Sequence, residues 1–528
     1  MEALQSASRR RTGLAVVSVT LAALVGSAAL GLGVQIREPA VHDEFSYLLA
    51  ADTFSRGRLS NPTHAMWPHF ESFHIIHQPT YASKYPPAQG MVLAAGQLLF
   101  GHPVAGVWLS NALMCGAITW MLLAWLPAGW ALLGGALAVL EFSIAGYWSQ
   151  SYWGGAVAGL GGALVFGASR RLVDTPRLSD AGWLGLGLLA LANSRPFEGL
   201  VTLVPLAFLS LFLFQRGAPR ERRAWRRHVL PAGVAIIALL VTCAAYYNYQ
   251  VTGSAFRMPY EAHRESYDFV PIFRFGELGE PPPYNHAVLA QFHDRWETAW
   301  FQAQQSLADV LRAVPWKLGP VWLFFLGIAG TLPLVVLPWI RWDRWSALAL
   351  GTCAILVFVH LFVTTYGSYA HYLAPVTCLV VFLQTLCLKR IATWRQPAGR
   401  WIAGALVIGI ATGLAGRVLE HRQPETHWSR NRARLVDRLE GMPGKDLVIV
   451  RYGPRHLFHH EWVYNGASLD EANVLFARGM EPERDRQLTE AFPTRRVWRL
   501  AIDGEHDAPV LEPYPAQSRD GMPLPPPD

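Results

Sequence analysis

The chain has 528 residues, of which 52% belong to the hydrophobic set and 16% are charged, and its formal net charge is +7. A mean hydropathy of +0.20 is high for a soluble enzyme and low for a bundle of membrane spans alone. These values predict a membrane region with sizeable polar loops or a polar appendage. Much of the arginine lies in short clusters between apolar segments, which argues against nucleic acid as the partner of the positive charge.

Apolar runs predict eleven membrane spans. The first, Leu14 to Val34, follows Arg9-Arg10-Arg11 and is about as long as a bilayer requires, so we interpret it as an anchor rather than a cleaved signal peptide. The others lie near Val104–Leu126, Ala128–Tyr147, Ala156–Ser169, Trp183–Ala192, Leu200–Phe214, Val229–Tyr249, Val321–Ile340, Ser346–Val363, Tyr372–Leu388 and Ile402–Arg417.

The basic clusters of the membrane region orient these spans. With a cytoplasmic N-terminus, every dense cluster falls on the inner side, as the positive-inside rule requires. The clusters are Arg170-Arg171, Arg216 to Arg227, Arg341 with Arg344, and Lys389-Arg390 with Arg395 and Arg400. An odd number of spans then puts the C-terminal tail outside. We therefore expect a multi-pass protein of the inner (plasma) membrane with its C-terminus extracytoplasmic.

Two regions follow from this layout. Residues 1–419 form the predicted transmembrane domain, with outer loops at 35–100 and 250–315. Residues 420–528 form a small extracytoplasmic α/β domain. Within it we predict strands at Leu447–Val450 and Arg496–Ile502, an amphipathic helix near Leu469–Met480 and a disordered Pro-rich tip, Pro523 to Pro527. The expected fold class is an α-helical polytopic membrane protein with this appendage.

The first outer loop begins with an acidic pair, Asp43-Glu44. Apolar residues follow at roughly helical spacing, which predicts an amphipathic helix along the membrane surface with the pair at its N-terminal end. Neighbouring helical residues point about 100° apart, so the two carboxylates cannot both face one substrate. One is then the working group and the other a structural partner, unless both merely decorate the helix terminus.

A second motif, Lys84-Tyr85-Pro86-Pro87, opens another apolar segment. Prolines suit a helix start because their missing N–H groups would be unpaired there anyway. Lys84 is the only lysine in the first 300 residues. A lysine beside a Pro-capped helix at membrane depth suits a phosphate ligand, although a snorkelling interface lysine is the ordinary alternative.

An acidic pair beyond the first span, a surface helix and a Lys-x-Pro-Pro helix start resemble the GT-C fold glycosyltransferases. The resemblance is to the protein O-mannosyltransferase and aminoarabinose-transferase branch and to bacterial glycosyltransferase 39 or RgtA-type proteins. It implies a polyprenyl-phosphate sugar donor, Asp43 as catalytic base with Glu44 its neighbour, and Lys84 at the carrier phosphate. The sequence Tyr-Pro-Pro-Ala-Gln departs from the commoner Pro-Pro-Leu-Tyr, which affects the substrate assignment more than the fold.

That chemistry also follows from the residues. A lipid phosphate leaving group needs its negative charge neutralised, which Lys84 or Arg195 can do in a low-dielectric site. A carboxylate can take the proton of the attacking hydroxyl, and a single base with no second nucleophile predicts inversion at the anomeric carbon. For Arg195 an ion pair with Glu198 is the alternative, because unpaired charges at this depth are costly.

Further candidates are polar or aromatic residues of the outer face. Those for substrate binding are Tyr85, Tyr152, Trp153, His371 and Tyr372, the last two resembling a family segment that we place at Tyr366 to Tyr372. The histidines of the first outer loop, grouped around Glu71, lack an HExxH pattern, and we expect them at the surface or at substrate. They are His64, His69, His74 and His77.

We predict no protein-bound metal site, although a divalent cation shared by the acidic pair and the donor phosphate is possible in this family. The five cysteines lie in apolar stretches, which predicts core packing rather than disulfides or thiolate sites. They are Cys115, Cys243, Cys353, Cys378 and Cys387.

The partners predicted are the lipid bilayer, the polyprenyl-phosphate sugar donor and a glycan, lipid or protein acceptor. A transporter or flippase of lipid-linked substrates is one alternative, but it would place polar groups near the midplane and show repeated halves. A non-catalytic assembly protein that presents its tail is the other, and it would tolerate loss of Asp43 and Lys84.

Overall fold

The computed structural model describes residues 2–216, 223, 225–364, 369–423, 427–504 and 509–514. Three predictions fall wholly or partly outside these residues. They concern the Pro-rich tip Pro523 to Pro527, the aromatic residue Tyr366, and most of the basic cluster Arg216 to Arg227.

Helices make up most of the chain. The first ten are α1 (Glu2–Gly33), α2 (His42–Ser55), α3 (Trp67–Phe70), α4 (Pro87–Phe100), α5 (Val104–Trp125), α6 (Ala128–Ala138), α7 (Tyr147–Gln150), α8 (Ala156–Asp174), α9 (Leu178–Ala192) and α10 (Pro196–Arg216). A π-helical turn, Val139–Ser143, extends α6.

The remaining helices include the long outer loop and the tail. They are α11 (Leu230–Thr252), α12 (Pro259–Tyr267), α13 (Ala287–Ala290), α14 (Thr298–Gln302), α15 (Leu307–Phe325), α16 (Gly327–Thr331), α17 (Arg344–His360), α18 (Thr377–Ala392), α19 (Ala398–His421), α20 (His427–Glu440) and α21 (Pro482–Ala491). π-Helical turns cover Trp225–Val229 and Gln291–Glu297, and 3-10 helices cover Leu332–Trp339 and Ala370–Val376.

Within the described residues, seven helices are long and apolar enough to cross a membrane, and an eighth crossing results if α15 and the segment Gly327–Trp339, bent by 85° from it, form one span. Three shorter apolar helices, Ala128–Ser143, Leu178–Ala192 and Arg344–His360, lie where further spans were predicted. The chain is thus a multi-pass helical membrane protein, and its orientation stays a prediction.

Close helix packing sets the position of the segment that precedes α18. Helix α8 runs against the 3-10 helix Ala370–Val376, and a Cβ added to Gly162 would lie 1.9 Å from the carbonyl oxygen of Pro375. Glycine at such a contact lets two backbones approach to a distance that no side chain allows. This contact holds the segment that carries His371 and Tyr372.

Short strands shape the first outer loop. Strands β1 (Asn61–Pro62), β2 (Ile75–Ile76) and β3 (Thr80–Ser83) form an antiparallel sheet in the order β1-β3-β2. Helix α4 follows directly, with Pro86 at its N-cap and Pro87 as its first residue, as the sequence predicted. It ends at Gly101, whose φ of 78° is the left-handed conformation that glycine adopts readily.

The tail forms a four-stranded sheet in the order β5-β4-β6-β7, from β4 (Lys445–Tyr452), β5 (Val474–Arg478), β6 (Arg495–Ile502) and β7 (Val510–Pro513). Both predicted strands are confirmed. The helix predicted near Leu469–Met480 is wrong: this stretch contains β5, a run buried in a parallel sheet, and such runs are continuously apolar. The helix is α21, which follows it.

Helix α2 is present, but its predicted amphipathic character is wrong. Phe45 and Leu49 pack into the core of the tail, where the Phe45 ring stacks on Tyr464 at 4.0 Å. Tyr47 and Ala51 pack on the other side against α4 and α5. The helix is therefore covered on two faces instead of lying on a membrane surface. The division of the chain at residues 419 and 420 stays a prediction.

All five cysteines are free thiols, as predicted. Cys115, Cys378 and Cys387 are buried, whereas Cys243 is exposed, so the expectation that all five pack in a core is wrong for Cys243. It lies on α11, a long apolar helix that is mostly uncovered by protein and so offers its surface to lipid.

We expect Gly162→Ala to lower the unfolding free energy by about 1–3 kcal/mol, because the new methyl group has no space against the Pro375 backbone. The matched control is Gly182→Ala on α9, where a Cβ meets nothing within 4 Å. The control should be neutral or slightly stabilising. Thermal denaturation in detergent checks both, and equal melting temperatures would contradict the packing argument.

Candidate functional site

The Glu44 carboxylate is held by backbone N–H groups. One oxygen accepts from Tyr152 at 2.8 Å, and the other accepts from Ala40 at 2.8 Å and Val41 at 3.2 Å. Glu44 stands three residues after the N-cap of α2, so its bond to Val41 is the reach-back of a capping box. Its side chain is buried, and burial raises the pKa of Glu44 to about 7.

Asp43 points elsewhere, as the angle between neighbouring helical residues requires. One carboxylate oxygen accepts a hydrogen bond from the Tyr85 hydroxyl, and the other lies 3.8 Å from Nε2 of His74. Burial and the nearby Lys84 ammonium hold the pKa of His74 well below its usual range, so this contact is not an ion pair. The Asp43 side chain remains 23% exposed. The pair is thus divided into one enclosed and one accessible carboxylate.

Lys84 stands beside the same tyrosine. Its Nζ lies 5.6 Å from the ring centre of Tyr85 and 6.0 Å from that of Tyr260, within the range of cation–π attraction. Within the described part of the chain, this ammonium has no ion pair within 4.0 Å and no hydrogen bond. It is a partly buried cation that lies beside two aromatic rings.

Arg195 lies at the break between α9 and α10 and is 9% exposed. Its guanidinium carbon is 5.0 Å from the Tyr372 ring centre. Among the described residues Arg195 has no ion pair within 4.0 Å and no side-chain hydrogen bond, so the alternative close pair with Glu198 is not formed. The Glu198 carboxylate attracts the guanidinium from beyond that distance. Arg195 lines a small cavity with Tyr47, Pro86, Gln89, Trp153, Gly154, Gly155, Val157, Ala158 and Ser194.

The predicted aromatic residues are distributed around this cavity. Trp153 lines it and lies 4.9 Å, ring to ring, from His371. His371 is buried, and its Nδ1 is 3.3 Å from the Tyr147 hydroxyl. Tyr152 is also buried and acts through its backbone, since its N–H bonds Glu44 and its carbonyl accepts from Gln89. Substrate contact by these side chains stays a prediction.

Two tyrosines were missed from the sequence. Tyr47 stacks on Tyr85 at 4.5 Å, and Tyr260 meets Tyr85 edge-on at 5.7 Å. Tyr47 follows Asp43 by four residues on the same helix face, and that spacing was the available signal. Tyr260 comes from the long outer loop, where no pattern in the sequence pointed to the site.

The first-loop histidines were expected at the surface or at substrate. The surface position is wrong for three of them, and substrate contact stays a prediction. His69, His74 and His77 are buried. His69 Nδ1 lies 2.9 Å from the Arg478 carbonyl oxygen, so this histidine joins the loop to the tail sheet. Only His64 of the four is partly exposed.

The acidic pair fits a shared divalent cation poorly, because both oxygens of Glu44 already accept backbone N–H groups. A different group could hold a metal ion. The side chains of Asp268, His293 and Glu297, in the long outer loop, place ligand atoms within 4.8 Å of one another. This group was missed from the sequence because its members follow no metal-binding spacing.

Comparisons with solved structures give matches across most of the chain. ArnT from Cupriavidus metallidurans bound to undecaprenyl phosphate is 14% identical, with 92% of each chain covered and a TM-score of 0.49. The Archaeoglobus fulgidus oligosaccharyltransferase in complex with Zn and sulfate is 12% identical, over 92% of this chain and 67% of that one, with a TM-score of 0.50. No family model and no curated protein matches.

The chain has the GT-C glycosyltransferase fold. The match at a TM-score of 0.50 supports this statement, and at 12% identity it concerns the fold alone. The fold expected from the sequence resemblance is therefore confirmed. The roles that the resemblance implied for Asp43, Glu44 and Lys84 stay predictions.

The different surroundings of Asp43 and Glu44 predict different effects of their substitution on stability. We expect Glu44→Gln to lower the unfolding free energy by about 1–3 kcal/mol, because the new amide N–H₂ would face backbone donors. Asp43→Asn should leave stability nearly unchanged, since an amide oxygen can still accept from the Tyr85 hydroxyl. Thermal unfolding of the two variants in the same detergent measures the difference. A larger loss for Asp43→Asn would contradict the assignment.

Proposed function

We propose that this protein transfers a sugar from a polyprenyl-phosphate donor to an acceptor hydroxyl on the outer face of the membrane, with Asp43 as the base. The transferred group is a hexosyl or pentosyl unit, and the acceptor is a glycan, a lipid or a protein. Nucleotide sugars made in the cytoplasm do not reach the outer face, which favours a donor carried by membrane lipid.

The observation that carries the proposal is the buried guanidinium of Arg195. A buried charge is costly unless an anion pairs with it, and the described residues supply none within ion-pair distance. Its neighbours instead form a small cavity beside the break between α9 and α10 and the start of α8. A lipid phosphate would supply the missing anion and would leave its chain in the bilayer.

Lys84, whose ammonium lies 5.6 Å from the ring centre of Tyr85, supports the same interpretation. Its ammonium has no anionic partner within 4.0 Å among the described residues. Two cations without close anionic partners, near one accessible carboxylate, suit a reaction in which negative charge develops on a departing phosphate. Positive groups that are fixed before the reaction stabilise such charge without reorganising.

Asp43 is the accessible carboxylate, and it is placed to take the proton of an acceptor hydroxyl as that oxygen attacks the anomeric carbon. Glu44 is not available as a nucleophile, because backbone N–H groups occupy both of its oxygens. One base without a second carboxylate favours a single displacement, with inversion at the anomeric carbon. The proposal includes no step through a metal ion.

The test is transfer of labelled sugar from polyprenyl-phosphate donors by purified protein in nanodiscs, with membrane extract as acceptor. Undecaprenyl phosphate, the ligand named for the Cupriavidus structure, is the first carrier to use. We expect Asp43→Asn to reduce the transfer rate by about 10²–10⁴-fold, because general-base assistance is lost. The matched control is Glu277→Gln, an exposed carboxylate of the long outer loop, which should transfer at the wild-type rate.

Transfer that survives in folded Asp43→Asn would remove Asp43 from the role of base. Wild-type protein that transfers none of a panel of hexosyl and pentosyl donors, while it binds the carrier, would overturn the proposed reaction. Determination of the anomeric configuration of the product tests inversion separately, and retention would contradict a single displacement.

A further inference from the structure

A cluster of titratable groups in the long outer loop lies outside the proposed transfer site. His293 Nδ1 is 2.8 Å from a carboxylate oxygen of Asp268 and 2.8 Å from one of Glu297. His293 and Glu297 are four residues apart on the π-helical turn Gln291–Glu297, while Asp268 follows the end of α12. Two carboxylates thus converge on one imidazole nitrogen.

His263 is the fourth residue of this cluster. It is 1% exposed, and neither of its ring nitrogens has a hydrogen-bond partner among the described residues. Its Nδ1 lies 3.6 Å from an oxygen of Asp268, beyond hydrogen-bond range. A buried imidazole without a partner is costly, and this one is directed at a carboxylate that a second histidine also contacts.

We propose that His263, Asp268, His293 and Glu297 bind a zinc ion. Two imidazole nitrogens and two carboxylate oxygens form the mixed ligand set that zinc accepts in tetrahedral geometry. Ligand atoms at about 2.0–2.2 Å from zinc lie roughly 3.4 Å from one another. Ligand atoms of Asp268, His293 and Glu297 already lie within 4.8 Å of one another, and Nδ1 of His263 lies 3.6 Å from an oxygen of Asp268.

Zinc balances the charges of this cluster. Two carboxylates and two neutral imidazoles around a divalent cation form a neutral unit, which suits a buried position. Calcium and magnesium prefer shells made of oxygen atoms alone, so the two imidazoles argue against either ion. In the described structure both ring nitrogens of His263 and Nε2 of His293 have no hydrogen-bond partner, and a metal bond would give His263 the partner that it lacks.

The position of the ion indicates a structural role. The ion would connect α12 and the residue after it to the turn Gln291–Glu297, and so cross-link two parts of the long outer loop. The His263 ring centre lies 6.2 Å from that of His74, whose Nε2 is 3.8 Å from Asp43. Helix α12 also carries Tyr260, which packs on Tyr85. A metal here would therefore fix the loop beside the proposed base without touching the reacting atoms.

The test is the metal content of tag-free protein, purified without added metal and washed extensively before elemental analysis. We expect about one zinc per wild-type chain and at least a fivefold lower content in Asp268→Asn and in His263→Ala. Glu265→Gln is the matched control, because this carboxylate lies on the same helix, is 62% exposed and pairs with Arg257. It should keep the wild-type zinc content.

A second readout does not depend on the variants folding. Wild-type protein stripped with chelator and reloaded with cobalt should show the visible absorption of tetrahedral Co²⁺, and zinc should raise its melting temperature. Zinc-free wild-type protein that gives neither signal would overturn the proposal, and the cluster would then be a histidine hydrogen-bonded to carboxylates. Zinc retained equally by both ligand variants would overturn it as well. Neither measurement uses sugar transfer, so the outcome is independent of the proposed reaction.

Discussion

The arrangement of the site depends on one carboxylate, that of Glu44, and the backbone N–H groups that surround it. It closes the first turn of α2 on itself and reaches the segment before α8 through Tyr152. Two segments that are more than 100 residues apart in the chain are thereby fixed against each other. Burial of such a group is tolerated because each of its oxygens has donors. Asp43, one residue earlier, is directed away from this contact, and so remains accessible.

The two cations near Asp43 lie against aromatic rings. Lys84 lies beside Tyr85 and Tyr260, Arg195 lies beside Tyr372, and neither has a carboxylate within 4.0 Å among the described residues. Aromatic faces stabilise cations only moderately, so both keep the capacity to attract an incoming anion. The tail contributes by covering the other side of α2, where Phe45 stacks on Tyr464. An enzyme that holds a lipid phosphate needs such fixed cations before the substrate arrives.

Local features of the fold could be predicted, while features set by distant contacts could not. Apolar runs located the membrane helices, and the Pro86-Pro87 pair located the start of α4, because both signals are local. The amphipathic interpretation of α2 failed because the tail covers a face that was expected to meet the membrane. Residues 469–480 were assigned to a helix because a buried parallel strand has no alternating pattern. Tyr260 and the His263 cluster come from the long outer loop, and only tertiary packing brings them to the site.

The most direct test of the account is the binding of a lipid phosphate at Arg195. Native mass spectrometry of the protein, titrated with undecaprenyl phosphate, should show one tightly bound molecule in the wild type. Arg195→Gln should weaken that binding at least tenfold, whereas Arg312→Gln, at an exposed arginine of α15, should leave it unchanged. Equal affinity of the wild type and Arg195→Gln would contradict the claim that this buried guanidinium binds the phosphate of the donor.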